Sequence, residues 1–154
     1  MITIRLAHPD DAAVLAKLRY EFRATIDRNV ETSPQFLQRC EAWMRERLQQ
    51  QNWRCWVAER DRTIIGALWL QLIEKIPNPT DEAEHHGYIT NVFVREDVRG
   101  HGIGSRLLAT ALAFCKEEPV HAVILWPSNR SRSLYERHGF AVRADLLELI
   151  VKST

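Results

Sequence analysis

Cysteine is scarce in this chain. Cys40, Cys55 and Cys115 stand far apart, are odd in number and form no C-x-x-C pair. A disulfide framework and a thiolate zinc site are thereby excluded, leaving reduced, partly buried thiols. An excess of charge is missing too: 21 Lys and Arg against 20 Asp and Glu give a formal net charge of +1. Such a chain has no general pull on a polyanion, which disfavours coating of nucleic acid or of a membrane surface. Any anion must be held by a local feature. Long hydrophobic runs are absent as well. The longest, Ile64 to Ile73, is interrupted by Gln71 and falls short of the ~20 residues of a membrane-spanning helix. The opening Met1–Arg5 leads to Asp10 and Asp11 rather than to an apolar signal stretch. The expectation is a cytoplasmic protein with neither a membrane nor a nucleic-acid partner. No repeat, linker or low-complexity segment stands out.

What is present is an ordinary globular balance: 154 residues, 45% hydrophobic and 27% charged. That is one domain's worth, residues 1–154, with enough chain for a single core. Ile2 to Leu6 alternates as a strand does, and Pro9-Asp10-Asp11 opens a helix with Val14, Leu15, Leu18 and Phe22 on one face. Ser33-Pro34 opens a second helix, carrying Phe36, Leu37, Cys40, Met44 and Leu48. Trp53–Glu59 and Ile64–Ile76 read as a hairpin about the polar turn Arg60-Asp61-Arg62, and Pro77 to His86 as an acidic loop. Tyr88–Val94 is a strand, Gly102 to about Glu117 a helix, and Val120–Trp126 a continuous apolar strand covered on both faces. A short helix from Ser131 to Arg137 stops at Gly139, and Phe140–Arg143 and Leu146–Val151 read as two final strands. The class is mixed α/β: a mostly antiparallel sheet of about seven strands with one parallel pair, flanked by about four helices.

Glycine is sparse, yet three of the six lie within residues 100–104, in Arg99-Gly100-His101-Gly102-Ile103-Gly104. This turn joins a strand to a helix. Free first-turn N–H groups and the helix dipole there make an anion cradle suited to phosphate, bracketed by Arg99 and Arg106. A Walker loop would need Lys-Ser or Lys-Thr after its last glycine, where Ser105-Arg106 stands. A Rossmann turn needs G-x-G-x-x-G, not G-x-G-x-G. Both nucleotide readings fail on spacing.

Arg99-x-x-Gly102-x-Gly104, after a strand ending Val92-Phe93-Val94, resembles the acyl-CoA-binding signature of the GNAT superfamily of N-acetyltransferases. Ser131 to Phe140, with Leu134-Tyr135 and Gly139-Phe140, is similar to that family's A-x-x-L-Y-x-x-x-G-F segment. Ile4-Arg5-x-Ala7 followed by Asp11 is similar to its first strand and helix. The likeness covers nearly the whole chain.

The resemblance implies acetyl transfer from acetyl-CoA to an amine of a small molecule or peptide, by direct attack in a ternary complex without a metal. It implies that backbone groups of Val92, Phe93 and Val94 pair with pantetheine. Arg99, Gly100, His101, Gly102, Ile103, Gly104 and Ser105 then cradle the pyrophosphate, and a backbone N–H near Asn91 or Val92 faces the oxyanion. Tyr135 is the implied donor to the departing thiolate, since a phenol titrating near ~10 is protonated at neutral pH. The family often has Asn seven residues before this Tyr. Ser128 stands there, with Asn129 next, so these two and Ser131 are the candidate cofactor contacts. Glu84, His85 and His86 are candidate bases, with Tyr88, Thr90 and Asn91 as water holders. Tyr20, Asp27 and Tyr88 are the expected acceptor residues. A homodimer is compatible with the fold, although no residue pattern marks an interface. The alternative is a non-catalytic acyl-CoA-binding sensor or structural protein of the same fold.

Overall fold

The computed structural model describes the whole chain except residues 25, 27–32 and 153–154. Strand β1 (Ile2–Leu6) is followed by a 3-10 turn and helix α1 (Ala12–Ala24), then by helix α2 (Ser33–Arg47). Strands β2 (Trp53–Arg60), β3 (Thr63–Glu74) and β4 (His85–Val94) form a meander. Helix α3 (Ile103–Glu117), strand β5 (Val120–Ile124) and helix α4 (Arg132–Arg137) complete the order.

The sheet runs β1-β2-β3-β4-β5 in space as in sequence, antiparallel throughout except for the parallel pair of β4 and β5. β2 and β3 are apolar on both faces because both faces are covered. Trp56, Ala58, Leu68 and Leu70 point to the α3 side. Cys55, Val57, Ala67 and Trp69 point to the α1 and α2 side. Fully buried aliphatic side chains such as Leu15, Leu68 and Leu107 each contribute about 1.5–3 kcal/mol by leaving water.

Three strand assignments need correction. The sheet has five strands rather than seven, because Phe140–Arg143 and Leu146–Val151 pair with nothing among the described residues. Strand propensity is a preference for a half-buried pleated surface. Here Leu147 is 93% exposed, as are most of its neighbours to a lesser degree, and no such surface is supplied. The apolar run of β5 also ends earlier, at Ile124. It is only half-buried, because it forms the open edge of the sheet instead of an interior strand. No described helix is long and apolar enough to cross a membrane.

The fold positions α1 through a buried-edge ion network. The Arg5 guanidinium meets Asp11 at 2.9 and 3.2 Å and Glu59 at 2.8 Å, and Asp11 also accepts the His8 backbone N–H at 2.7 Å. The Arg5 hydrogen bonds hold the Asp11 carboxyl below the ordinary carboxylate range. That clamp ties β1 and β2 to the turn preceding α1.

Candidate active site

The parallel strands β4 and β5 are paired only from His85 to Tyr88, opposite Val120 to Ile124. Beyond Tyr88 they part. The cause lies in β4 itself. Its register against β3 passes from Thr90 opposite Trp69 to Phe93 opposite Ala67, so Asn91 and Val92 together face Leu68 as a β-bulge. Asn91 takes φ +53°, a left-handed conformation that asparagine tolerates better than most residues. A bulge strengthens local twist, and here it turns the end of β4 away from β5.

The opening is a cleft of about 770 Å³. One wall is Asn91 to Val94 of β4. The other is the chain after β5, Leu125 to Ser128, with α4. At one end lies the glycine turn. Gly102 caps α3 with φ +75°, and no side chain satisfies the first-turn N–H groups, which are therefore available to an anion. Gly104 differs: a Cβ there would meet Leu134 Cδ2 at 3.5 Å, an ordinary contact. Its missing side chain keeps space open and relieves no strain. Arg99 folds inward, donating Nε–H to the Val94 carbonyl at 2.9 Å and lying over the Phe93 ring. At the far end stand α1 residues: Arg19, Phe22 and Arg23. The Arg19 guanidinium donates to Asn91 Oδ1 at 3.2 Å, tying α1 to the bulge.

Tyr135 lies on the α4 wall, 7% exposed, its ring 5.7 Å from that of Phe140. Burial pushes its phenol above the usual value, against a smaller opposing effect of Ser131, so it is a proton donor at neutral pH. Ser128 and Ser131 are tied together in the turn before α4: their hydroxyls are 2.8 Å apart, and the Ser128 N–H reaches Ser131 Oγ at 3.0 Å. Tyr88 and Trp126 stack edge to face at 5.3 Å where the strands part.

Of the residues singled out from sequence, the cleft gathers Tyr88, Asn91, Val92, Phe93, Val94, Arg99, Gly100, Gly102, Ile103, Gly104, Ser105, Ser128, Ser131 and Tyr135. Ser105 Oγ is also 3.1 Å from His138 Nε2. Others lie elsewhere. His101 and Asn129 are not on its walls, and Tyr20 packs against Phe36 of α2. Arg106 reaches the Ile2 carbonyl at 2.9 Å and does not bracket the turn. Glu84 and His85 line a separate cavity of about 270 Å³, and His86 stacks on His121. Asp27 lies outside the described residues. The sequence reading missed Arg19, Arg23, Trp126 and Arg137. A cation on α1 at helical spacing reads as a solvated face until the fold shows what stands opposite.

The charges of the cleft are one-sided. Arg19, Arg23, Arg99, Arg130 and Arg137 line it, and no carboxylate or imidazole does among the described residues.

Residues 21–140 match the Acetyltransferase (GNAT) family. The chain belongs to that family. Its similarity to curated relatives is partial. It is 31% identical over 100 residues to "Probable N-acetyltransferase camello" of Xenopus tropicalis, covering 62% of this chain and 42% of that one. The Xenopus laevis counterpart is 31% identical over 88 residues, covering 55% and 37%. The chain thus spans about two-fifths of the length of these relatives. Among solved structures, a predicted acetyltransferase of Clostridium acetobutylicum, solved with acetyl-CoA, is 27% identical with a TM-score of 0.79 over 98% of this GNAT chain and 97% of its own.

Proposed function

We propose that this chain transfers an acetyl group from acetyl-CoA to a primary amine of a small molecule or peptide, by direct attack with both substrates bound. The observation that carries the reading is a single cleft that no acid lines among the described residues. It runs from an uncapped, glycine-turned helix N-terminus to the β4 bulge, with a buried phenol on its wall.

The cleft suits a coenzyme A ester. The open positions at Gly100 and Gly102, the space beside Gly104 and the positive charge of Arg99, Arg130 and Arg137 accommodate a polyanion. The N–H groups of Ile103, Gly104 and Ser105 would hold the pyrophosphate, and the backbone of Val92 and Val94 the pantetheine amides. The thioester supplies an activated acyl carbon: a C–N bond forms, the C–S bond breaks, and the amine's surplus proton goes to solvent.

Each residue's task follows from its chemistry. A backbone N–H at the Asn91–Val92 bulge is a fixed donor for the oxyanion, and such a donor is worth about 100-fold or more in rate. Tyr135 protonates the leaving sulfur and regains its proton from solvent. Among the described residues no side-chain base lines the cleft, yet an alkylamine titrates near ~10.4 in water. Arg19 and Arg23 address that difficulty, because neighbouring cations disfavour an ammonium and shift the acceptor toward its neutral, nucleophilic form. Tyr88 and Trp126 form the apolar floor beside it.

The lack of a side-chain base among the described residues of the cleft is also what a non-catalytic acyl-CoA binder of this fold would show. One experiment separates the two. Acetyl-CoA should raise the melting temperature in a concentration-dependent way, and thiol should be released when amines are added. A shift with no thiol release across polyamines, amino acids, aminoglycosides and peptide N-termini favours the binder. No shift at millimolar acetyl-CoA removes both.

A further inference from the structure

The α1 end of the cleft carries more positive charge than coenzyme A requires. The phosphates are accounted for at the glycine turn by backbone N–H groups and by Arg99, Arg130 and Arg137. From Val94, which leads to that turn, back to Asn91 is three residues of strand, roughly 10 Å at 3.3 Å per residue. Arg19 sits at the Asn91 end. It is half-buried, lies over the Phe22 ring at 5.9 Å, and uses one of its donors on Asn91 Oδ1. It has no ion-pair partner among the described residues. Burial and the neighbouring charge of Arg23 act together to disfavour its protonated form. A guanidinium held in that setting, planar and with donors to spare, is organised for an oxyanion.

We propose that the acceptor is an amine that also carries a carboxylate, an amino acid or a molecule like one, with the carboxylate held by Arg19 and assisted by Arg23. The amine then faces the β4 bulge. Its carboxylate offsets the cationic field that would otherwise repel an ammonium on entry, while the one positive charge of the arginine pair left uncompensated favours loss of the amine proton once it is docked. Simple polycations are disfavoured on both counts. This rests on the acetyl-transfer reading of the same cleft.

The test pairs each of a set of free amino acids with its carboxamide, adds spermidine, and measures acetyl-CoA-dependent thiol release by the full chain. The acids are expected to exceed their amides at least about tenfold in kcat/KM, because a site built to hydrogen-bond a group rejects the analogue that lacks it. In Arg19→Ala that preference should fall to within about twofold, through a higher acceptor KM, with the acetyl-CoA melting shift retained. Arg19→Lys should keep part of the preference. Acids and amides reacting alike, spermidine reacting best, or a preference that survives Arg19→Ala would each overturn the proposal. Where acetyl-CoA shifts the melting temperature but no thiol is released, N-acetylated acids and their amides are compared by melting shift with coenzyme A present. An Arg19-dependent preference for the acids supports the carboxylate site, and equal shifts overturn it. Loss of the acetyl-CoA shift itself in the unaltered chain overturns the acetyl-transfer reading and this proposal together.

Discussion

The two ends of the cleft are built on different principles. The glycine-turn end is mostly backbone: within residues 99–105, Gly100 and Gly102 take positive φ, and no side chain caps the first-turn N–H groups of α3. The α1 end is side chain: Arg19 reaches across 72 residues of sequence to Asn91, and nothing local foretells the meeting. A backbone site tolerates a near-neutral protein and serves one constant ligand. A side-chain site can be retuned by single substitutions, which suits the variable partner of a reaction.

The largest expected effect lies between the two ends. Tyr135→Phe should lower kcat about 100-fold or more, the scale of general acid catalysis, while the acetyl-CoA melting shift changes little. The raised phenol pKa also fixes the sign of its pH dependence. Activity requiring protonated Tyr135 should persist as pH rises through neutrality and fall only in the alkaline range, above a phenol's usual ~10. A fall in kcat that Tyr135→Phe does not remove would assign that limb to another group.

Next comes the backbone end. Gly104→Val should abolish the acetyl-CoA shift but leave the apoprotein folded. A Cβ alone meets Leu134 at a normal 3.5 Å, so the added methyls occupy ligand space. Gly104→Ala, by the same geometry, should fold normally and bind more weakly. Unchanged affinity in both would place the polyanion elsewhere and dissolve the contrast between the ends.

The support of the α1 end makes a smaller, thermodynamic difference. Asp11→Asn keeps the acceptor atom for the His8 N–H but removes the charge facing Arg5, and should cost about 1–3 kcal/mol at pH 7. The folded-state carboxyl is depressed. Its contribution is therefore present above the unfolded value near ~3.9 and is lost as pH falls through the folded one. Urea unfolding at pH 7 and pH 3 should show the gap between wild type and Asp11→Asn narrowing at the lower pH.

What was legible in the sequence divides along the same line. The shape of the turn could be read because its logic is contiguous: Gly100, Gly102 and Gly104 between a strand and a helix specify a backbone shape. The place of Tyr135 on the short helix came with it, carried by the spacing of Leu134, Tyr135, Gly139 and Phe140. The final strands could not be judged, because alternation in Leu146–Val151 shows a willingness to pair and not the presence of a neighbour. The α1 end was unreadable for another reason. Its position depends on where β4 leaves β5, and that depends on the bulge at Asn91, a tertiary feature that local propensity does not encode.

Glu84 gives the smallest effect and the sharpest test of that geometry. It looked suitable as a base because it precedes the central strand, and acidity near an amine site is chemically attractive. It precedes the wrong end of that strand. From Glu84 to Asn91 is seven residues, roughly 23 Å of extended chain, and the intervening part of β4 is sealed against β5. Glu84 lines the smaller cavity, where Lys75 also lies. Glu84→Gln should accordingly leave kcat/KM within about twofold across pH 6 to 9, since a proton acceptor works only within about 3 Å or through one water. A drop of tenfold or more on the acid limb would mean that the proton reaches Glu84 along β4, past the pairing of β4 with β5.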